Sequence, residues 1–299
     1  MQKSYSRILP AVIAGLSALL ILSSSCGRRD TGLPLPDHIV IVIEENHGFD
    51  QIMDSGFAPY IGQLARAGML FTDAHGVTHP SQPNYLAIFS GSTQGVKDDR
   101  CLIPETPFVT PNLGAALIKA GYSFKGYGET MPFSGYRGCD TAIVKGYQYV
   151  RKHIPWVNWL GDKDNGLPDA VSQPLSEFPA DFSKLPTVSF VIPNEGNDMH
   201  NIIGGDSATI VRGDQWLKDH LSGYVNWAMT HNSLFILTFD EDNFTLKNQI
   251  PTIFAGAMVW PGKYDTTINH YNVLGTIEAM YGLPPSGAAK AAVIRGIWK

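Results

Sequence analysis

The fold of this chain is decided by the stretch His38-Ile39-Val40-Ile41-Val42-Ile43-Glu44-Glu45-Asn46. An unbroken run of β-branched residues without polar alternation is typical of a strand buried on both faces, as in parallel sheets. At Glu44 the stretch changes abruptly to polar residues. Because open α/β sheets bind ligands at the carboxyl ends of their strands, this change predicts a functional edge.

Two later apolar stretches end in the same way. Residues 188–192 lead to Asp198 and His200, and residues 234–239 lead to Asp240 and Glu241. Further strands are expected at 69–72, 123–127 and 252–255, and helices at 61–67, at 110–120, from 214 and from 270. Strands that alternate with helices predict an α/β fold, in which a mostly parallel central sheet is flanked by helices on both faces.

The stretch Thr78-His79-Pro80-Ser81-Gln82-Pro83-Asn84-Tyr85 precedes apolar residues at helical spacing, which stop at Gly91. We therefore expect Ser81 at or just before the first turn of a short helix. A hydroxyl there faces unpaired backbone N–H groups and the positive end of the helix dipole, which suits a phosphate group. Serine is also a favoured N-cap, so a purely structural role for Ser81 remains open at this point.

The composition indicates a folded protein with a substantial core. Of 299 residues, 44% are hydrophobic and 16% are charged, and the net charge of −5 gives no reason to expect nucleic-acid binding. No internal repeat or dividing linker interrupts residues 37–299, which we interpret as a single catalytic domain.

The amino-terminal residues predict export. Lys3 and Arg7 precede an uncharged apolar run at 8–22, which is short for a membrane-spanning helix and is followed by three serines. Residues 1–25 are therefore interpreted as an export signal, and residues 26–36 as a polar tether. Cys26 follows the small residues and resembles the lipidated cysteine of bacterial lipoproteins; the alternative is an ordinary cleaved signal. We expect a periplasmic or cell-envelope lipoprotein, or otherwise a secreted protein.

Export also bears on the two remaining cysteines. Cys101 and Cys139 form an even pair in an oxidising compartment, which predicts a disulfide. Between residues 131 and 180 the sequence has no clean period. Its aromatic residues suggest either a substrate-side loop or cap, or plain surface irregularity: Tyr147, Tyr149, Trp156 and Trp159.

Several polar groups are expected to meet at the carboxyl edge of the sheet. They are Glu45-Asn46, Ser81, Asp198 with His200, Asp240-Glu241, and His270 at the start of the last helix. Any one of them is common on protein surfaces, but successive strand ends of one sheet bring such groups together. Carboxylate and amide oxygens suit a hard divalent cation, and a cation can activate a serine hydroxyl.

Five motifs carry a resemblance to a known family. They are Glu45-Asn46-x-x-Phe49-Asp50, His79-Pro80-Ser81-Gln82-Pro83-Asn84-Tyr85, Asn197-Asp198-Met199-His200, Thr238-Phe239-Asp240-Glu241 and His270-Tyr271. In this order they resemble the acid phosphatase and phospholipase C phosphoesterases of the alkaline phosphatase superfamily. The similarity extends over residues 37–287 and implies an alkaline phosphatase-like fold and a phosphoric ester hydrolase.

The resemblance implies a role for each matching residue. Ser81 would be the nucleophile and form a phosphoserine intermediate, and the metal ligands would be Glu45, Asn46, Asp240 and Glu241. Asp198, His200 and His270 would contact phosphate or hold a second cation, and either histidine could protonate the leaving group near its ordinary pKa. His79 is also expected to bind substrate; it would either orient Ser81 or simply pack near it.

The chain departs from the two-zinc members of the superfamily, whose ligands are mainly Asp and His. Asn46 and Glu241 stand at matching positions here, and Asp198 and His200 are closer in sequence than the corresponding pair. Oxygen-rich ligation favours one strong site for a hard divalent cation of open identity.

A phosphomonoesterase is the favoured function, since family phospholipases usually carry long carboxyl-terminal modules that are not found here. The alternatives are a phosphodiesterase or phospholipase C, and a non-catalytic lipoprotein that binds phosphate or metal. A sulfatase would need arginine near Pro83, where Asn84 and Tyr85 stand. The expected partner is a phosphate-ester substrate, and no protein partner is implied. Contact with a membrane is expected only through a lipid anchor on Cys26.

Overall fold

A computed structural model describes residues 1–2, 32–142, 147–200, 205–290 and 293–299. Cys26 and all but the first two residues of the predicted export signal lie outside these ranges. Among the described residues, no helix combines the length and the apolar character needed to cross a membrane.

A nine-stranded sheet forms the centre of the described chain, and it is mostly parallel. Its strands are β1 His38–Glu44, β2 Met69–His75, β3 Phe124–Gly128, β4 Ser172–Pro174, β5 Val188–Ile192, β6 Ser233–Phe239, β7 Gln249–Ala255, β8 Gly262–Tyr264 and β9 Ile268–Asn269. The spatial order is β4-β3-β5-β1-β6-β7-β2-β8, with β9 paired to β2. Only β7 pairs antiparallel within this part of the chain, with β2 and β6.

The strand β1 lies near the middle of the sheet, parallel to β5 and β6. Ile39 to Ile43 are at most 1% exposed, so both faces of this strand are covered, as the uninterrupted β-branched run predicts. The six predicted strands are confirmed. The three strands that the sequence did not predict, β4, β8 and β9, have only two or three residues each. Such short segments carry no periodic pattern.

The helices form two groups. Their bounds are α1 Phe49–Met53, α2 Pro59–Ala67, α3 Ser81–Ser90, α4 Leu113–Lys119, α5 Gly205–Ala228 and α6 His270–Met280. The first group is α1, α2 and α5, where α2 contacts the other two; in the second group α3 contacts α4 and α6. The predicted fold, a mostly parallel sheet flanked by helices, is confirmed.

The long helix α5 begins nine residues before the expected start at Asp214. The reason is that the Asp214 carboxylate serves a different helix. Its oxygens accept hydrogen bonds from the backbone N–H groups of Tyr60 and Ile61, at 3.0 and 2.8 Å, in the first turn of α2. A residue type that often caps its own helix therefore caps a neighbour.

The irregular segment between residues 131 and 180 is not plain surface irregularity. Trp156 and Trp159 are fully buried in a short 3₁₀ helix, Pro155–Trp159. The Trp156 ring packs so closely on Gly126 of β3 that a Cβ atom there would lie 2.2 Å from the ring. These tryptophans belong to the core, which corrects the expectation for them.

The predicted disulfide is present between Cys101 and Cys139, whose Cα atoms are 5.7 Å apart. It joins the loop after α3 to the irregular segment after β3.

Candidate active site

Ser81 is the first residue of α3, and its side chain does not cap the helix. The N-cap is Pro80, and Ser81 Oγ lies 3.0 Å from Glu45 Oε2 and 3.2 Å from Glu241 Oε1. A structural cap would turn its oxygen towards the helix backbone. The hydroxyl instead faces two carboxylates from the ends of β1 and β6, so the N-cap interpretation of Ser81 is wrong.

The turn before Ser81 is held by the side chain of Asn84. Its Oδ1 accepts from the backbone N–H groups of Val77 and Thr78, and its Nδ2 donates to the carbonyls of Thr78 and Pro80. These four bonds fix the approach to the helix and hence the direction of the Ser81 side chain. An amide suits this position because it offers the turn both a donor and an acceptor.

The free N–H groups expected at the start of α3 are partly occupied. The backbone N–H of Gln82 donates to Asp99 Oδ1 at 2.9 Å. An aspartate from the loop after the helix thus takes one of the positions that a phosphate oxygen was expected to use. This corrects the simple picture of an open helix terminus.

Glu45 is fully buried and contacts the side chains of Ser81, Tyr85 and His153. Its Oε1 accepts a hydrogen bond of 2.6 Å from the Tyr85 hydroxyl, and its Oε2 faces Ser81. The next residue, Asn46, has a positive φ of 57°, a left-handed conformation that asparagine tolerates better than most residues. Its backbone N–H donates to Asp240 Oδ1 at 3.1 Å, which joins the ends of β1 and β6.

His79 contacts Glu241 rather than Ser81. Its Nδ1 lies 2.5 Å from Glu241 Oε2, and its ring stacks on Phe244 with centroids 4.9 Å apart. Since Glu241 Oε1 faces the Ser81 hydroxyl, His79 orients the carboxylate that orients the serine.

Carboxylates crowd the centre of the site. Burial, and next the charge of Asp240, raise the pKa of Glu45; burial and Glu45 raise the pKa of Glu241 to about 9. Burial also raises the pKa of Asp240, together with the charge of Glu241. Buried like charges are costly unless a cation or protons compensate them. This part of the protein is therefore suited to hold positive charge.

Unsatisfied oxygen atoms support the same conclusion. Among the described residues, neither Asn46 Oδ1 nor Asp240 Oδ2 has a hydrogen-bond partner, although both atoms are buried. Buried polar atoms are normally paired, and these are hard oxygen donors of the kind that divalent cations prefer. Within the described ranges, no group of three or more His, Cys, Asp and Glu side chains is preassembled to hold a metal ion. The fit of a cation thus depends on the unpaired oxygens of Asn46 and Asp240.

His153 is a site residue that the sequence analysis missed. It is fully buried, with its Nε2 3.1 Å from Glu45 Oε1 and its Nδ1 3.2 Å from Asp198 Oδ2. Its ring stacks on Tyr85, with centroids 5.0 Å apart. Burial, and next the charge of Lys152, lower its pKa, which favours the neutral imidazole. Its only sequence signal is a polar Lys152-His153 pair within the aperiodic segment.

Asp198 and His200 lie in the loop after β5, beside the same centre. The carbonyl of Asp198 accepts from the backbone N–H of Glu45 at 2.8 Å, and its Oδ1 accepts from the backbone N–H of His200 at 2.9 Å. The rings of His153 and His200 are 6.3 Å apart. The predicted residue pair thus lies near Glu45, next to a histidine that the sequence did not reveal.

His270 lies behind the loop that carries Asp240. Its Nε2 donates to the carbonyl of Phe239 at 2.9 Å, and the side chain is 1% exposed. Burial lowers the pKa of His270 to about 4; burial and the charge of Lys152 lower the pKa of His200 to about 4. The expectation that these imidazoles titrate near their ordinary pKa is therefore wrong.

A cavity of about 1130 Å³ lies beside the Asp198 loop. Asn194 and Asn197, from this loop, form part of its wall, and Glu129 at the end of β3 accepts two hydrogen bonds from Asn197 Nδ2. Trp216 of α5 and Tyr147 add apolar surface. The cavity offers room for an organic group beside this loop.

Comparison with known proteins identifies the family. The model of the phosphoesterase family matches residues 54–284. A phosphatidylinositol-3-phosphatase of Mycobacterium tuberculosis is 45% identical over 296 residues, which cover 96% of this chain and 93% of that protein. A probable acid phosphatase of Kluyveromyces lactis is 31% identical over 83% of this chain and 58% of its own length, so this chain spans little more than half of that relative.

The fold has matches among solved structures. A protein of the alkaline phosphatase superfamily from Vibrio parahaemolyticus superposes with a TM-score of 0.58 at 12% identity, over 88% of this chain and 72% of that one. The predicted resemblance to acid phosphatases is confirmed, and the fold is similar to that of this alkaline phosphatase superfamily protein. The chain belongs to the phosphoesterase family and is a phosphoric ester hydrolase.

Proposed function

We propose that the protein is a metal-dependent phosphomonoesterase in which Ser81 attacks phosphorus. The observation that carries this proposal is the position of Ser81 Oγ, between Glu45 Oε2 at 3.0 Å and Glu241 Oε1 at 3.2 Å. A hydroxyl is a weak nucleophile until a neighbouring group takes its proton. The two carboxylates lie where such a group is needed.

The reaction then proceeds in two displacements. The Ser81 proton passes to the carboxylate of Glu45, a bond forms between Oγ and phosphorus, and the bond to the ester oxygen breaks. The leaving alkoxide takes up a proton from solvent water. Water or hydroxide then attacks the phosphoserine, phosphate leaves, and the Ser81 oxygen regains its proton from Glu45. A divalent cation bound by Glu45, Asn46, Asp240 and Glu241 would neutralise phosphate charge and lower the pKa of the serine hydroxyl.

His153 keeps the base in place. It lies between Glu45 and Asp198, at 3.1 and 3.2 Å, and it stacks on Tyr85, which donates to Glu45. The position of Glu45 therefore depends on three neighbours, and its oxygen remains directed at Ser81. Such fixed geometry is what positioning contributes to catalysis.

The names of two relatives that cover most of this chain support a phosphomonoester substrate. The mycobacterial relative is named for removing phosphate from an inositol lipid, and the yeast relative is named an acid phosphatase. Both names describe phosphomonoesters. The cavity beside the Asp198 loop offers space for the organic part of such a substrate.

The proposal is tested with a substrate panel. Purified protein is incubated with p-nitrophenyl phosphate, bis-p-nitrophenyl phosphate and a short-chain phosphatidylinositol 3-phosphate, before and after chelation. We expect hydrolysis of the monoesters and its loss on chelation. A clear preference for the diester would favour the phosphodiesterase or phospholipase C alternative, and no hydrolysis would favour a binding protein.

We also propose that the chain is exported and is lipidated on Cys26 at the cell envelope. The uncharged run at 8–22 and the small residues before Cys26 support this. Mass spectrometry of the natural amino terminus would detect an acylated Cys26, whereas a different, unmodified first residue would contradict lipidation.

A further inference from the structure

Lys152 is a charged residue of the site for which neither the sequence motifs nor the proposed mechanism has a role. It lies in the 3₁₀ turn Arg151–His153, next to His153, and its side chain is 16% exposed. Its Nζ donates to Asp99 Oδ2 at 3.3 Å and lies 3.9 Å from Glu195 Oε1. A largely buried ammonium group is thus held at the edge of an acidic centre.

The second contact of Asp99 places Lys152 relative to the nucleophile. Asp99 Oδ1 accepts from the backbone N–H of Gln82, the residue after Ser81, while Oδ2 accepts from Lys152. One carboxylate therefore links the ammonium group to the first turn of α3.

Lys152 retains its charge in this setting. Burial alone would lower its pKa, but Glu45, Asp99 and Glu195 outweigh burial and raise it. Lys152 therefore contributes a positive charge at this side of the site.

A phosphomonoester needs such a charge. Its phosphoryl group carries negative charge on the non-bridging oxygens, and the transition state for transfer spreads charge over all three. The neighbouring side chains Glu45, Asp198 and Glu241 are acidic and oppose its entry. A compact ammonium group with three donors offsets this repulsion and can bind one oxygen while it keeps a bond to Asp99.

We propose that Lys152 binds a non-bridging oxygen of the phosphoryl group that Ser81 attacks, with Asp99 holding the ammonium group in place. This inference rests on the proposed function of Ser81. It makes Lys152 a phosphate-binding residue that lowers the barrier by charge, without taking part in proton transfer.

The test measures phosphate binding separately from turnover. Binding of inorganic phosphate is measured by calorimetry in the Ser81→Ala protein, alone and combined with Lys152→Met or Lys152→Arg. We expect Lys152→Met to weaken phosphate binding about tenfold or more and Lys152→Arg to retain most of it, because charge-assisted hydrogen bonds are the strong ones. In the protein that retains Ser81, Lys152→Met should lower kcat/KM for p-nitrophenyl phosphate about 10²-fold.

Two further variants separate binding from structure. Lys184→Met removes an exposed lysine that pairs with Asp181 and should change neither quantity. Glu195→Gln removes the charge 3.9 Å from Lys152 but keeps the hydrogen bond of Lys152 to Asp99, so phosphate affinity should stay within about twofold. Equal phosphate affinity with and without Lys152, or an equal loss in Glu195→Gln, would overturn the proposal. Wild-type protein that binds phosphate through Lys152 but hydrolyses no ester would instead refute the proposed function alone.

Discussion

Ser81 Oγ and Glu45 Oε2 lie 3.0 Å apart, although 36 positions separate the two residues along the chain. The contact exists because β1 ends at the carboxyl edge of the sheet and α3 begins at the same edge. Glu45 meanwhile accepts from the Tyr85 hydroxyl, one helical turn after Ser81. A single helix thus presents both the nucleophile and the group that orients its base.

The first prediction concerns Ser81. Replacing Ser81 with alanine removes the attacking oxygen, so kcat for p-nitrophenyl phosphate should fall by about 10³-fold or more. Ser92→Ala, just beyond the same helix, serves as the matched control and should keep normal activity. Activity of Ser81→Ala at the wild-type level would refute the assignment of the nucleophile.

A second prediction concerns His153, which contacts Glu45 and Asp198. His153→Phe keeps the aromatic stacking on Tyr85 but loses both ring nitrogens, so the carboxylates lose a partner. We expect kcat/KM to fall about 10²-fold with little loss of thermal stability. His231→Phe, which changes an exposed ring stacked on Trp227, should behave like wild type. If the two variants had the same activity, His153 would have no positioning role.

The sequence predicted the sheet and the grouping of most candidate site residues because both depend on local patterns. Continuous β-branched runs followed by acidic residues mark β1 and β6, and the turn before α3 marks Ser81. His153 gave no comparable signal, since a lone histidine in an aperiodic segment is more often structural. Its place in the site results from long-range packing. Trp156 packs on Gly126 and holds the segment against the sheet, and the ring of His153 stacks on Tyr85.

The hydrogen-bond partners and pKa values of individual side chains were likewise not predictable from the sequence. Asp214 was expected to start its own helix, but its carboxylate accepts from the first turn of α2. His270 was expected near its ordinary pKa, yet complete burial lowers that value to about 4. Burial and distant partners are properties of the folded chain and cannot be obtained from residue type.

A third prediction addresses the proposed cation. Because burial and mutual repulsion raise the pKa values of Asp240 and Glu241, a divalent cation should stabilise the protein, by about 2.7 kcal/mol at a hundred times its Kd. Thermal unfolding with and without Mg²⁺, Mn²⁺ or Zn²⁺ measures this as a rise in Tm. Asp240→Asn should abolish the rise while leaving the metal-free protein at least as stable, since it removes a buried charge. Asp181→Asn, at an exposed site, should retain the wild-type response; a rise in Tm that survives in Asp240→Asn would contradict the ligand assignment.

A fourth prediction concerns the disulfide between Cys101 and Cys139. It closes a loop of 38 residues, which in the chain-entropy model stabilises the fold by about 4 kcal/mol. The double variant Cys101→Ser/Cys139→Ser should therefore unfold at a lower temperature and a lower urea concentration. Dithiothreitol should lower the stability of the wild type towards that of the variant and leave the variant unchanged. If the disulfide-bonded wild type and the double variant were equally stable, the bridge would not restrict the unfolded chain.

The last prediction uses Glu278, a buried carboxyl in α6 that is distant in sequence from the proposed ligands. Burial raises its pKa from 4.5 to about 6, even though the backbone N–H of Ser286 donates to both oxygens at 3.1 Å. The folded state therefore binds the proton more tightly than the unfolded state. Its contribution to stability is complete below pH 4.5 and is lost as the pH rises through 6, a change of about 2 kcal/mol.

Glu278→Gln removes this titration and keeps the shape of the side chain. The difference in unfolding free energy between wild type and variant, measured in urea from pH 4 to 7.5, should shift by about 2 kcal/mol against the wild type and then level off above the folded pKa. Taking the difference cancels the free-energy contributions of groups that titrate equally in both proteins. A difference that does not change with pH, or that changes in favour of the wild type, would mean that Glu278 is ionised in the fold at its ordinary pKa or below.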